Sequence, residues 1–239
     1  SCAWQDDMLV VDWNKHKPRD VLWTFNEHAR ERVTGELALT MIQRLKDMRP
    51  TRRITIIPVV NVWGRKRVED GLTCRRTNRN GVDTNRNYPV QRHHYPLKSE
   101  QYEGMTSLSE PETKFIAALL RNYTRMFINI HSGEYALYTP WDASYHLPPN
   151  NNHMQTNVER WSKWCPTCAV GPAAIVSNYR AYGTAVDYAT TLGVEAYTFE
   201  IFGAEHSTCE RMFNPPSDDL HGALEPWCHI LHNSLDQRL

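Results

Sequence analysis

Apolar residues fall along this chain in short runs with almost no polar interruption, at residues 8–13, 21–25, 54–61, 127–130 and 196–201. Such runs predict strands buried on both faces, as in a largely parallel or mixed sheet. Between them the period changes. Val33, Leu37, Ala38, Met41, Ile42 and Leu45 recur at helical spacing, and so do Phe115, Ile116, Leu119, Leu120 and Tyr123. Ser109-Glu110-Pro111-Glu112 reads as a capping box ahead of the second of these helices. Leu220, Leu224, Trp227, Leu231 and Leu235 predict a terminal helix, with Pro226 expected to perturb its middle. Strands alternating with helices predict an α/β fold, an α/β/α sandwich whose mostly buried mixed sheet is flanked by helices.

The period is lost from residue 65 to about 107 and again from 139 to about 156. Loops that long inside a compact domain are usually functional. No repeat, low-complexity tract or linker divides the chain, so residues 1–239 are expected to form one domain with a substantial core. The 27 basic and 27 acidic side chains cancel, which gives no reason to expect nucleic acid or an anionic membrane as partner. No apolar run reaches the roughly 20 residues of a membrane span. The opening "SCAWQDDM" lacks the basic start and apolar core of a signal peptide. Six cysteines, at positions 2, 74, 165, 168, 209 and 228, suit disulfides, and Asn122-Tyr123-Thr124 is a glycosylation sequon. Both favour a secreted or lumenal protein. Cys165-Pro-Thr-Cys168 stands without a second C-x-x-C or C-x-x-H, so it reads as structural rather than redox-active or zinc-binding.

The chemistry begins at "NEHARER", residues 26–32, where His28 and Glu31 follow an extended apolar run. A zinc enzyme that activates water needs three protein ligands and an open position, and two histidines with one glutamate are a familiar set. His131 closes "MFINIHS", where a buried strand should emerge at the carboxyl edge of the sheet, the usual place for sites in open α/β sheets. Next, "CRRTNRNGVDTNRNYP" packs arginines and asparagines into residues 74–89, and the planar fork of arginine suits bidentate binding of a carboxylate. Finally, Glu200 interrupts "AYTFEI", where a carboxylate is costly to bury unless it is paired or useful. Its use would be as a general base.

The order of these pieces resembles the zinc metallocarboxypeptidases, the funnelin or M14 family, along nearly the whole chain. "EHARE" resembles the family's first-ligand motif, "GVDTNRNYP" its carboxylate-binding motif, "INIHSGEYALYTPW" its third-ligand strand and "AYTFEI" its general-base strand. "YRAYGTAVDY" is similar to the segment that carries a mobile tyrosine, here Tyr179, with Tyr182 as the alternative. The resemblance implies one zinc ion per chain, bound by His28, Glu31 and His131. It implies Glu200 as base and Arg76 as oxyanion stabiliser. Asn85, Arg86 and Tyr179 would hold the terminal carboxylate of a peptide or protein substrate, and Arg30 would line the next subsite outward. The stretch before His28 is shorter than the family's, so a first strand and helix are expected to be missing. A pro-segment or inhibitor would be a further partner in such a family, and none is legible here.

The same resemblance puts Val186 at the floor of the specificity pocket, which implies apolar C-terminal residues, with Glu134 or Glu205 able to reverse that preference. The implied function is release of single C-terminal amino acids. An amide deacylase on the same zinc core, a non-catalytic zinc- or peptide-binding relative, and a thiol oxidoreductase using Cys165 and Cys168 are the competing readings.

Overall fold

The computed structural model describes residues 1–235 except Arg19, Tyr123, Glu205 and His206. The first half runs β1 (Cys2–Gln5), β2 (Met8–Trp13), β3 (Val21–Phe25), α1 (Arg32–Met48), β4 (Ile54–Ile57), α2 (Val62–Glu69) and α3 (Pro111–Arg121). The second runs β5 (Met126–His131), β6 (Tyr135–Thr139), α4 (Asn151–Trp161), β7 (Ala169–Pro172), α5 (Ala173–Val176), α6 (Ala185–Thr191), β8 (Glu195–Ile201), α7 (Cys209–Phe213) and α8 (Leu220–Leu235).

The strands form one mixed sheet in the order β1-β2-β4-β3-β5-β8-β6-β7. Its centre, β4-β3-β5-β8, is parallel, while β2 and β6 flank it in antiparallel pairing. The unbroken apolar runs follow from this arrangement, because alternate side chains of one strand enter different cores. Val21, Trp23 and Phe25 of β3 pack beneath α1, α4 and α8, with Leu37, Met41, Trp161, Trp227 and Leu231. Leu22, between them, belongs to the opposite core with Ile116 and Leu120 of α3 and Val186 of α6.

Three local expectations are corrected. α8 runs unbroken through Pro226, because its buried stripe of Leu224, Trp227, Ile230 and Leu231 holds the helix against the sheet. Burying such side chains, at about 1.5–3 kcal/mol each, outweighs the roughly 3 kcal/mol cost of an internal proline. The capping box does not form. α3 starts at Pro111, a favoured first position, with Glu110 at the cap, and Ser109 Oγ donates instead to Glu110 Oε1 at 2.6 Å. Tyr123, assigned to this helix from its spacing, lies outside the described residues. The two aperiodic stretches also hold more structure than their sequence predicts: α2 runs into the first and α4 starts inside the second. Cys74–Cys209 and Cys165–Cys168 are disulfides, while Cys2 and Cys228 are free.

One consequence matters for chemistry. In the parallel centre His131 lies directly beside Glu200, and Phe25 beside Ile130. The chain segments leaving β3, β5 and β8 therefore meet at one edge of the sheet.

Candidate active site

β3 hands over to α1 in a tight turn. Asn26 takes a left-handed conformation, φ 50°, which asparagine tolerates better than most residues. Its side-chain amide donates to the carbonyls of His28 (2.8 Å) and Glu31 (3.2 Å), and its backbone N–H donates to Thr34 Oγ1 at 2.8 Å. The turn brings His28 Nδ1 to 2.7 Å from Glu31 Oε1. His131, at the end of β5, completes the group: its Nδ1 is 3.2 Å from His28 Nδ1 and 3.1 Å from Glu31 Oε2. All three residues are buried.

This group fits a metal ion on its own geometry. One donor atom from each residue lies within 4.8 Å of the others, and among the described residues no other set of His, Cys, Asp and Glu does this. Zinc bonds of about 2.0–2.1 Å in a tetrahedron separate neighbouring ligand atoms by roughly 3.3 Å, close to the spacings here. Charge agrees with shape. Burial opposes ionisation of Glu31, yet His28 and His131 hold its carboxyl well below the usual range. Burial likewise works against a charged His131, but Glu31, Glu200 and Glu27 raise its pKa to about 9. The cluster attracts a cation. His28 has a carboxylate at its other nitrogen, the arrangement that fixes ligand histidines: Asp83 Oδ1 is 3.2 Å from His28 Nε2. The other nitrogen of His131 faces the Asn85 amide, with Glu27 Oε2 farther off at 3.9 Å.

Asp83 organises the neighbouring loop too. It accepts from Arg76 Nε at 2.8 Å and from the backbone N–H of Asn85 at 3.0 Å. Burial would raise its pKa, but Arg76 and His28 pull it well down, so it stands as a fixed anion. Asn85 faces His131 Nε2 at 3.4 Å. Arg86 is 6% exposed, donates to the Asn85 carbonyl at 2.8 Å, and leaves its Nε without a partner. Among the described residues no carboxylate closes an ion pair with this buried guanidinium. The Tyr179 and Tyr95 hydroxyls lie against it, and Tyr179 also donates to Gln101 Oε1 at 2.8 Å.

Glu200 projects from β8 with Oε2 buried and unpartnered. Burial raises its carboxyl well above the usual range; His131 and Arg76 oppose the shift, and Glu31 and Glu134 add to it. A poorly solvated carboxyl with a free oxygen is suited to taking and returning a proton. These side chains line one cavity of about 480 Å³ that includes His28, Glu31, His131, Arg76, Asn85, Arg86, Tyr179 and Glu200. Arg30 does not line it but a neighbouring depression shared with Arg76, Arg86 and Tyr179; its Nη1 is 2.9 Å from Glu100 and its guanidinium lies over the Phe213 ring at 4.3 Å. Tyr182 is turned away and stacks on His93.

Val186 is the exception. It is 1% exposed and packs into the core around Phe127 and Ile116, not into the cavity. α6 begins at Ala185, and its first turn faces Val186 towards the sheet, while the capping residue Thr184 lines the cavity. The polar wall there is Asp142, 7% exposed, whose backbone N–H donates to Asp187 Oδ1 at 2.7 Å. Glu134 is exposed at the rim, accepting from the Tyr138 hydroxyl at 2.9 Å, and Glu205 lies outside the described residues. Asp83, Glu27 and Asp142 were missed in the sequence. Asp83 had a signal, as the lone carboxylate in the donor-rich stretch; Glu27 and Asp142 had none beyond their neighbours. Cys165 and Cys168 contribute nothing to the cavity.

Residues 7–226 match the family model described as zinc carboxypeptidase. Carboxypeptidase B of Bos taurus is 29% identical over 173 residues, 61% of this chain and 40% of that protein. Carboxypeptidase D of Anas platyrhynchos is 29% identical over 158 residues, 58% of this chain and 11% of that protein. The matched region thus spans less than half the length of these relatives. Among solved structures, bovine thrombin-activatable fibrinolysis inhibitor in complex with tick carboxypeptidase inhibitor superposes with a TM-score of 0.82 at 20% identity, over 95% of this chain and 86% of that one. Carboxypeptidase A from Helicoverpa armigera gives 0.82 at 22% identity, over 95% and 65%. These likenesses bear on fold.

Proposed function

The chain belongs to the zinc carboxypeptidase family, and from that premise we propose that it hydrolyses the last peptide bond of a peptide or protein, releasing one C-terminal amino acid. The observation that carries the reading is Arg86, a buried cation without an ion-pair partner, in the same cavity as the His28, Glu31 and His131 group. A buried charge is expensive unless something pairs with it, and a substrate's terminal carboxylate is the complement. His28, Glu31 and His131 would hold zinc, with Asp83 orienting His28. Zinc, when bound, supplies a Lewis acid that activates water near neutral pH and polarises the scissile carbonyl.

The other residues take roles from their positions. Asn85, Arg86 and Tyr179 fix the terminal carboxylate and so place the last peptide bond at the group of ligands. Arg76, oriented by Asp83, donates to the oxygen on which negative charge develops. Glu200 accepts the proton of the attacking water and returns it to the departing amine.

The side chain of the departing residue points to the wall formed by Asp142, Thr184 and the small residues Ala173 and Ala181. A buried carboxylate with space before it favours lysine or arginine. This replaces the apolar preference drawn from Val186, whose side chain does not reach the cavity. An amide deacylase on the same zinc core would use the Arg86 arrangement only if its substrate carried a carboxylate beside the scissile amide. The test compares a lysine-terminated peptide as free acid and as C-terminal amide. The free acid is expected to be cleaved at least 10²-fold faster, since loss of a buried charge partner costs several kcal/mol. Equal rates would remove the exopeptidase reading.

A further inference from the structure

Arg76 lines both the catalytic cavity and a second depression, a groove of about 610 Å³ between residues 72–77 and residues 97–100. Its first wall is fixed in place. Cys74 is bonded to Cys209 at the head of α7, whose Met212 and Phe213 line the catalytic cavity. Arg75 lies over the Trp63 ring at 4.6 Å, and its guanidinium donates to the carbonyls of Thr77 (3.1 Å) and Asn78 (2.6 Å).

The charge in this groove is not balanced. Arg75 has no carboxylate partner among the described residues, and the guanidinium of Arg67 shares the Trp63 ring at 5.3 Å. Burial and the Arg67 charge both lower the Arg75 pKa. On the facing wall Lys98 is exposed and likewise has no carboxylate partner among the described residues. The groove's own acid, Glu100, is neutralised by Arg30 at 2.9 Å. Leu72 and Leu97, 55% and 71% exposed, leave apolar surface beside the cations.

We propose that this groove receives the substrate upstream of the scissile bond and favours acidic side chains there. The inference rests on the carboxypeptidase reading: with the terminal carboxylate at Arg86 and the scissile carbonyl at Arg76, the rest of the peptide leaves past Arg76. Arg75 is already immobilised by its stacking and hydrogen bonds, so little ordering is needed to meet an anion.

Matched lysine-terminated peptides carrying Glu, Ala or Lys two to four residues before the end test this in two ways. One is kcat/KM on the wild-type protein; the other is binding of dye-labelled peptides to Glu200→Gln protein, which needs no turnover. Glu peptides are expected to exceed Ala peptides about fivefold in both measurements at low salt, the scale of two exposed ion pairs. The ratio should fall towards one at about 1 M salt, where charges are screened within roughly 3 Å, and in the Arg75→Gln/Lys98→Gln variant. Equal ratios in the wild-type protein, or a preference that survives in the double variant, would overturn the groove and leave the hydrolytic reading intact. A binding preference with no cleavage of any peptide would uphold the groove as a peptide site and remove the hydrolytic reading.

Discussion

At Glu200 the chemistry can be separated from the fold by exchanging one oxygen. Glu200→Gln keeps the shape of the side chain and removes the base, so peptide and metal should still bind while kcat falls by roughly 10²-fold or more. Stopped turnover with retained binding supports the assignment; wild-type turnover would mean that the proton goes elsewhere. At Asp142 the readout is selectivity. Burial raises its carboxyl above the ordinary range, while Thr184 and Arg86 act the other way. The acid form, which attracts no cation, therefore prevails below that raised pKa, and the anion above it. The ratio of kcat/KM for Lys over Leu ends should decline on acidification at a higher pH than an ordinary aspartate, near 3.9, would give. Asp142→Asn should cut the ratio by about tenfold or more at neutral pH. A ratio that ignores both changes would return the specificity to another wall.

The turn between β3 and α1 shows what a short motif conceals. His28 and Glu31 were legible as a pair, but the device that aims them is Asn26, two residues ahead of His28, with no role legible in the sequence. Asn26→Ala removes its bonds to buried carbonyls and strains the left-handed position. It should lower stability by about 2–4 kcal/mol, read as a shifted urea midpoint. An unchanged midpoint would mean that the amide does not hold the turn. The central strands could be read as unbroken apolar runs, and α1 because its helical period repeats over 17 residues. β7 could not: Gly171 and Pro172 fill half of its four residues, so no apolar run develops. α6 was hidden for a related reason. Its first turn puts Val186 into the core and Thr184 into the cavity, and one residue of register decided the specificity reading.

Across the whole molecule the site is a product of topology. Its candidate residues range from position 28 to position 200, and only the parallel centre of the sheet brings their strand ends together. Residue types and their order were visible in the sequence. The convergence of His28, Glu31 and His131 could be argued from their places at strand ends, while that of Arg76, Asn85, Arg86 and Tyr179 came only through the family resemblance, because long loops follow no local rule. The central claim is that the three-residue group holds zinc and that this metal makes the cavity hydrolytic. The most direct measurement strips the protein with a chelator and restores graded zinc, following a lysine-terminated peptide by mass spectrometry in ¹⁸O-labelled water. The claim requires loss of cleavage on stripping and full recovery at about one zinc per chain. It also requires release of the terminal lysine alone, with the label in the new carboxyl end, and no recovery in His131→Ala. Cleavage that persists in the stripped protein, or equal recovery in His131→Ala, would contradict it.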